Sequence, residues 1–175
     1  MKILVFGAGV LGCNLARNLF RAGKDVTLLA RGKWAEEIRE NGLRIKDKFS
    51  PRVSVSRVPV VTELKDSYDV VFAVLRYTQL DSILDTLRES RAKNLVFVGN
   101  NVRARALSGA LPDKNVLFAF ALSAGHREQD TVCSIARFRA QAPTSRSSGK
   151  FLTAQSTRWS TSPIWRTICS ATRRS

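Results

Sequence analysis

Five residues, Lys2 to Phe6, lead directly into Gly7-Ala8-Gly9-Val10-Leu11-Gly12, after which Leu11, Leu15 and Leu19 recur every fourth residue. An almost wholly apolar segment of this length reads as a strand buried on both faces. The leucine spacing, with Ala16 and Phe20 beside it, reads as a helix that buries one stripe. Gly23 is its expected stop. A G-x-G-x-x-G pattern says little alone, but between a strand and a helix it is the fingerprint of a dinucleotide-binding turn. Each glycine has its own reason. Gly7 permits the tight turn, a side chain at Gly9 would collide with a pyrophosphate, and Gly12 lets helix and strand approach closely. Free N–H groups and the positive end of the helix dipole would then face the phosphates. The expected contacts are Gly7, Ala8, Gly9, Val10, Leu11 and Gly12.

The same alternation continues along the chain. Val26–Ala30 reads as a second strand, Trp34–Glu40 as a short helix ended by Asn41-Gly42, and Val70–Leu75 as another buried strand. Leu80, Ile83, Leu84 and Leu87 fall at i, i+3, i+4 and i+7 of a helix, with Thr78 and Asp81 placed to cap it. Strands follow at Leu95–Val98 and Val116–Phe120, with a helix over Arg103–Ala110 between them. Leu43–Val58 is less regular, with short strands around Pro51 and Pro59, and Thr131–Phe138 is a further strand candidate. Strands alternating with helices predict an α/β fold of the Rossmann type, a doubly wound parallel sheet with helices on both faces.

The end of the second strand selects the nucleotide. An NAD site usually places Asp or Glu there, about 20 residues past the motif, to hold the ribose hydroxyls. This strand ends in Leu29-Ala30-Arg31-Gly32-Lys33, with no carboxylate at its tip. Arg31 offers a planar fork to a 2′-phosphate and a face to adenine, and Lys33 adds charge. The expected cofactor is NADP(H).

Charge and cysteines narrow the setting. Twenty-nine Lys and Arg against 14 Asp and Glu give +15. The last acid is Asp130, and the eight basic residues beyond it supply more than half of the excess. Residues 1–138 therefore form the expected nucleotide-binding domain, only moderately basic, and 139–175 form a Ser-, Thr- and Arg-rich tail without 2.0 or 3.6 periodicity. Two readings of the tail stand. One is an irregular, disordered basic segment. The other, which we favour, is an out-of-frame product, because codons exist for Ser160–Thr172 that spell a segment of balanced composition in a neighbouring frame. Nucleic-acid binding through the tail is disfavoured, since it has neither an RNA-binding motif nor regularly interleaved aromatics. Cys13, Cys133 and Cys169 are odd in number and widely spaced, which predicts neither a disulfide framework nor a metal site and points to a reducing cytoplasm. No apolar run approaches the roughly 20 residues of a membrane span. The glycines interrupting Ile3–Cys13 argue against a lipoprotein signal.

In this order, Lys2–Gly12, Arg31, Asn41-Gly42-Leu43-Arg44-Ile45, Val74-Leu75-Arg76 and Val98-Gly99-Asn100-Asn101 resemble the N-terminal domain of the ketopantoate reductases (2-dehydropantoate 2-reductases), from Met1 to about Phe138. The resemblance implies hydride transfer from NADPH to a small 2-keto acid in pantothenate biosynthesis, with a lysine protonating the alkoxide. It places Arg76 near the cofactor where the family usually has Lys. Asn100 falls near nicotinamide and substrate, with Asn101 as the alternative register. Ala124-Gly125-His126-Arg127 resembles a loop that touches the cofactor. His126, the only histidine, is not expected to be catalytic because the sequence places no partner beside it. The family's proton-donating lysine and substrate-binding residues lie in a second, helical domain that residues 140–175 do not resemble. The catalytic residues are therefore unassigned. Two functions remain open: a reductase represented by its cofactor domain, or a non-catalytic NADP(H)-binding module.

Overall fold

The computed structural model describes residues 1–48, 50, 52–100, 102–120 and 123–136. The tail at 139–175, with Trp159, Trp165 and Cys169, lies outside them, as does Asn101.

Its main element is a six-stranded sheet. In chain order the strands are β1 (Lys2–Phe6), β2 (Asp25–Leu29), β5 (Val60–Val61), β6 (Val70–Ala73), β7 (Asn94–Val98) and β8 (Asn115–Ala119). They lie side by side as β5-β2-β1-β6-β7-β8, with every neighbouring pair parallel. Counted within this sheet, the order is 3-2-1-4-5-6 of the doubly wound dinucleotide fold. Its switch point lies between β1 and β6, where the sheet order reverses.

The continuous apolar strands bury both faces because the pleat sends successive side chains to opposite sides. Ile3, Val5, Val26, Leu28, Val70, Phe72, Val96 and Val98 join one core with helices α1 (Val10–Arg21) and α2 (Gly32–Asn41). Leu4, Phe6, Leu29, Val71, Leu95 and Phe97 join the other. That second core is closed by α3 (Tyr77–Leu80), a 3-10 turn at Asp81–Ile83, α4 (Leu84–Glu89) and α5 (Ala104–Ala110).

Three sequence expectations change. The helix predicted around Leu80–Leu87 is broken by the 3-10 turn, and its cap is not Thr78 with Asp81. The backbone N–H of Arg76 donates to Gln79 Oε1 at 3.2 Å, and the Gln79 N–H donates back to the Arg76 carbonyl at 2.8 Å. Phe20 is exposed instead of lying on the α1 stripe, whereas the polar Asn14 and Arg17 are buried. Finally, Leu43–Val58 and the region after β8 together build a second sheet.

That sheet runs β4-β3-β10-β9, with β3 (Leu43–Asp47), β4 (Val53–Ser56), β9 (Ser123–Glu128) and β10 (Thr131–Ala136). β3 pairs antiparallel with β4 and parallel with β10, which pairs antiparallel with β9. Its inner face brings Leu43, Ile45 and Val132 into the core with α1. Helix α1 is thus covered on two sides, and this explains its buried polar residues. Asn14 Nδ2 donates to Ser134 Oγ and to the Val10 carbonyl, each at 2.9 Å. Arg17 Nη1 pairs with Asp47 Oδ2 at 3.1 Å.

Candidate nucleotide-binding site

The carboxyl ends of parallel strands share one sheet edge, and most of the predicted site residues lie there. The glycine-rich turn follows β1, Arg31 and Lys33 follow β2, Arg76 comes three residues after β6, and Asn100 two residues after β7. Arg31, Lys33, Arg76 and Asn100 are all exposed. Residue 124 is the exception, because Ala124 belongs to β9 of the smaller sheet.

The three motif glycines separate into two kinds. Gly7 has φ +115°, and a Cβ there would sit 2.4 Å from the Val74 carbonyl oxygen. A Cβ on Gly12 would lie 1.8 Å from the Gly7 carbonyl oxygen. The chain's own packing therefore requires both. Gly9 has φ −77°, which any residue adopts, and a Cβ there would meet nothing within 4 Å. Among the described residues, no contact explains a glycine at this position.

Gly9 is also the N-cap of α1. It makes no side-chain cap bond, and the first turn of α1 carries no acid. The helix thus opens toward solvent with its dipole uncompensated. A bound anion fits this edge: a smooth, cap-free helix start is flanked by Arg31 and Lys33, with no carboxylate at the tip of β2.

The turn itself is held from below. The Ala8 carbonyl accepts a hydrogen bond from Trp34 Nε1 at 3.0 Å and one from Cys13 Sγ at 3.4 Å. Burial pushes the Cys13 thiol up to about 12, so it stays protonated and able to donate. The Arg127 guanidinium lies 4.9 Å from the Trp34 ring centroid, and that of Arg31 lies 5.8 Å from the centroid of Phe6. Sequence reasoning assigned no role to Trp34 or Phe6. Trp34 stands three residues past Arg31 within a predicted helix, and nothing in that spacing signals a bond back to the turn.

The segment Ala124-Gly125-His126-Arg127, expected as a loop, is a strand. It nevertheless borders the turn, because a Cβ on Gly125 would come within 3.0 Å of Val10 Cγ1, and Arg127 covers Trp34. His126 faces outward, with Nε2 2.9 Å from Glu128 Oε1. Both side chains are about two-thirds exposed. The partner that the sequence did not place is therefore the next outward-facing residue on the same strand. Among the described residues, no helix is long and apolar enough to cross a membrane.

Comparison with known proteins places the fold and the family. A 2-dehydropantoate 2-reductase of Mesorhizobium japonicum is 35% identical over 88 residues, covering 50% of this chain and 27% of its own length. The crystal structure of 2-dehydropantoate 2-reductase from Geobacter metallireducens superposes with a TM-score of 0.73 at 18% identity, over 98% of this chain and 56% of that one. A ternary structure of D-mandelate dehydrogenase with NADH and anilino(oxo)acetate gives a TM-score of 0.60 at 19% identity, over 76% of this chain and 45% of that one. Likeness at such identities speaks for the fold. The chain spans about half or less of the length of the curated relatives it matches. Residues 3–144 match the family described as Ketopantoate reductase PanE/ApbA, and the chain belongs to that family of oxidoreductases.

Proposed function

We propose that this chain binds NADP(H) and forms the hydride-donor half of a 2-keto acid reductase of the ketopantoate type. Gly9 carries the reading. Among the described residues neither backbone conformation nor packing explains its glycine, whereas Gly7 is explained by its positive φ and a close contact, and Gly12 by a close contact alone. A pyrophosphate seated on the N-terminus of α1 supplies the missing reason.

In this proposal Gly7 to Gly12 hold the pyrophosphate, and Arg31 and Lys33 bind the adenosine 2′-phosphate. Arg31 is exposed and has the Phe6 ring beside it, which steadies its plane at the surface where a phosphate would meet its fork. Arg76 contributes positive charge at the end of β6, Asn100 orients the nicotinamide and the substrate keto group, and the β9 backbone at Ala124, beside Gly125, lines the far side. NADPH, when bound, supplies a hydride to a keto carbon. The substrate would be a small 2-keto acid.

Cys13 and Cys133 are both free thiols, in keeping with a cytoplasmic location.

The alternative ligand is NADH, because one structural relative was solved with it. Titration with NADPH and with NADH decides between them. A charge-assisted contact is worth about 1.5–3 kcal/mol, or roughly 10–100-fold in affinity. Arg31→Ala should weaken NADPH by that factor and leave NADH nearly unchanged. Equal binding of both nucleotides by the wild-type chain, or equal weakening of both by the substitution, would overturn the NADP(H) assignment.

A further inference from the structure

The outward face of β9 and β10 carries a cluster that the nucleotide site does not use. His126 and Cys133 are Cα partners across the antiparallel pair, and Glu128 follows His126 on the same face two residues later. One ligand-type atom from each, an imidazole nitrogen, a carboxylate oxygen and the thiol sulfur, lie within 4.8 Å of one another. The register that juxtaposes them is fixed from the other face of the sheet, where Val132 and Ser134 are buried. A one-residue slip would expose both.

We propose that His126, Glu128 and Cys133 form a binding site for a zinc-class divalent cation, with a fourth position open to water. Directly opposed residues on paired strands hold their Cβ atoms about 4.5–5.5 Å apart. Tetrahedral zinc, with bonds of about 2.0–2.3 Å, needs its ligand atoms roughly 3.3–3.8 Å apart. The His126 and Glu128 atoms lie 2.9 Å apart and all three ligand atoms lie within 4.8 Å of one another, a range that brackets that spacing. Charge balances as well. One carboxylate and one thiolate neutralise a dication, and the imidazole binds in its neutral form.

The donor set selects among metals. Sulfur and imidazole nitrogen favour zinc and its borderline-soft neighbours over magnesium or calcium, which take oxygen. Lys46 is the Cα partner of Cys133 on its other side, in β3. Its positive charge opposes a cation; partial burial and the neighbouring Glu128 carboxylate hold the thiol above its ordinary range, so a metal binds here by displacing the thiol proton. The wide sequence spacing of the cysteines gave no metal signature, because this site depends on strand register.

The test uses the full chain carrying Cys169→Ser, so that the tail thiol does not contribute. Zinc is titrated against a chromophoric chelator, and cobalt is added as a spectroscopic stand-in. One equivalent should bind, with a thiolate-to-cobalt charge-transfer band and tetrahedral ligand-field intensity. Loss of an outer-shell partner commonly costs about 10–100-fold in metal affinity, so losing a direct ligand should cost at least about tenfold. That is the expected effect of His126→Ala and of Cys133→Ser. Thermal melting without metal shows whether each variant folds, and the exposed His126→Ala keeps the test valid if Cys133→Ser does not. Absence of stoichiometric zinc binding, or binding that His126→Ala leaves unchanged, would overturn the proposal.

Discussion

The two sheets differ in how their residues find each other. In the six-stranded sheet, strands β1, β2, β6, β7 and β8 are short apolar runs bounded by turns, and helices lie between them along the chain. The four-stranded sheet joins β3 to β10, so that Arg44 pairs with Thr131 and Asp47 with Ser134. These partners are far apart in sequence; β3 and β4 alternate apolar and polar residues over a few positions only, and β9 and β10 show no such alternation. The larger sheet is specified by local pattern. The smaller one is specified by what it covers, the polar side of α1. The teaching is that a buried polar residue on an amphipathic helix marks a second packing partner, one that hydrophobic periodicity does not reveal.

The largest expected effect lies in the first region. Gly12→Ala puts a methyl group 1.8 Å from the Gly7 carbonyl oxygen, and both atoms belong to packed backbone. Relief requires moving α1 away from β1, a cost at the upper end of overpacking, about 3 kcal/mol or more. Urea unfolding should show a marked fall in midpoint. An unchanged midpoint would mean that the helix does not pack against the turn as described.

A smaller effect is expected where the second region is tied to the first. Ser134→Ala removes the hydroxyl that accepts from Asn14 Nδ2, and the Oδ1 of Asn14 already has no partner among the described residues. Leaving a further buried amide hydrogen unsatisfied costs about 1–3 kcal/mol. Hydrogen exchange should quicken first in β9 and β10, with β1 and β6 little affected. Uniform quickening would show that the sheets unfold as one unit and remove the distinction between them.

The smallest effect is chemical. The Cys13 thiol lies buried beside the turn and titrates near 12, so its thiolate is scarce between pH 7 and 9. Alkylation of Cys13 in the folded chain should stay slow across that range and become fast in denaturant. Because its folded value exceeds the ordinary 9.0, its burial stabilises the fold fully below pH 9.0, and that contribution declines toward about pH 12. Native labelling of Cys13 as fast as in denaturant would contradict its placement.

Much of the larger sheet was legible in the sequence, because continuous apolar strands and a glycine-rich turn act locally. The edge that gathers Arg31, Arg76 and Asn100 was legible for the same reason, since parallel strands put their carboxyl ends together. β9 was not. Ser123–Glu128 contains Gly125 and three charged or titratable residues, a composition that reads as loop, and only pairing with β10 makes it a strand. The capping of α3 by Arg76 and Gln79 was also hidden, because backbone groups and an amide make it where the sequence offered a hydroxyl and a carboxylate. The support that Trp34 gives to Ala8 depends on where α2 lies in space, which residue spacing does not encode.

The proposal that Gly9 is reserved for a ligand is tested most directly by Gly9→Val. The added Cβ meets no atom of the described residues within 4 Å, so the folded chain should lose only about 1 kcal/mol, the cost of a poorer helix cap. NADPH affinity should fall by more than about 100-fold, beyond roughly 2.7 kcal/mol. A variant that folds and still binds NADPH like the wild type would contradict the claim and leave the glycine without a function.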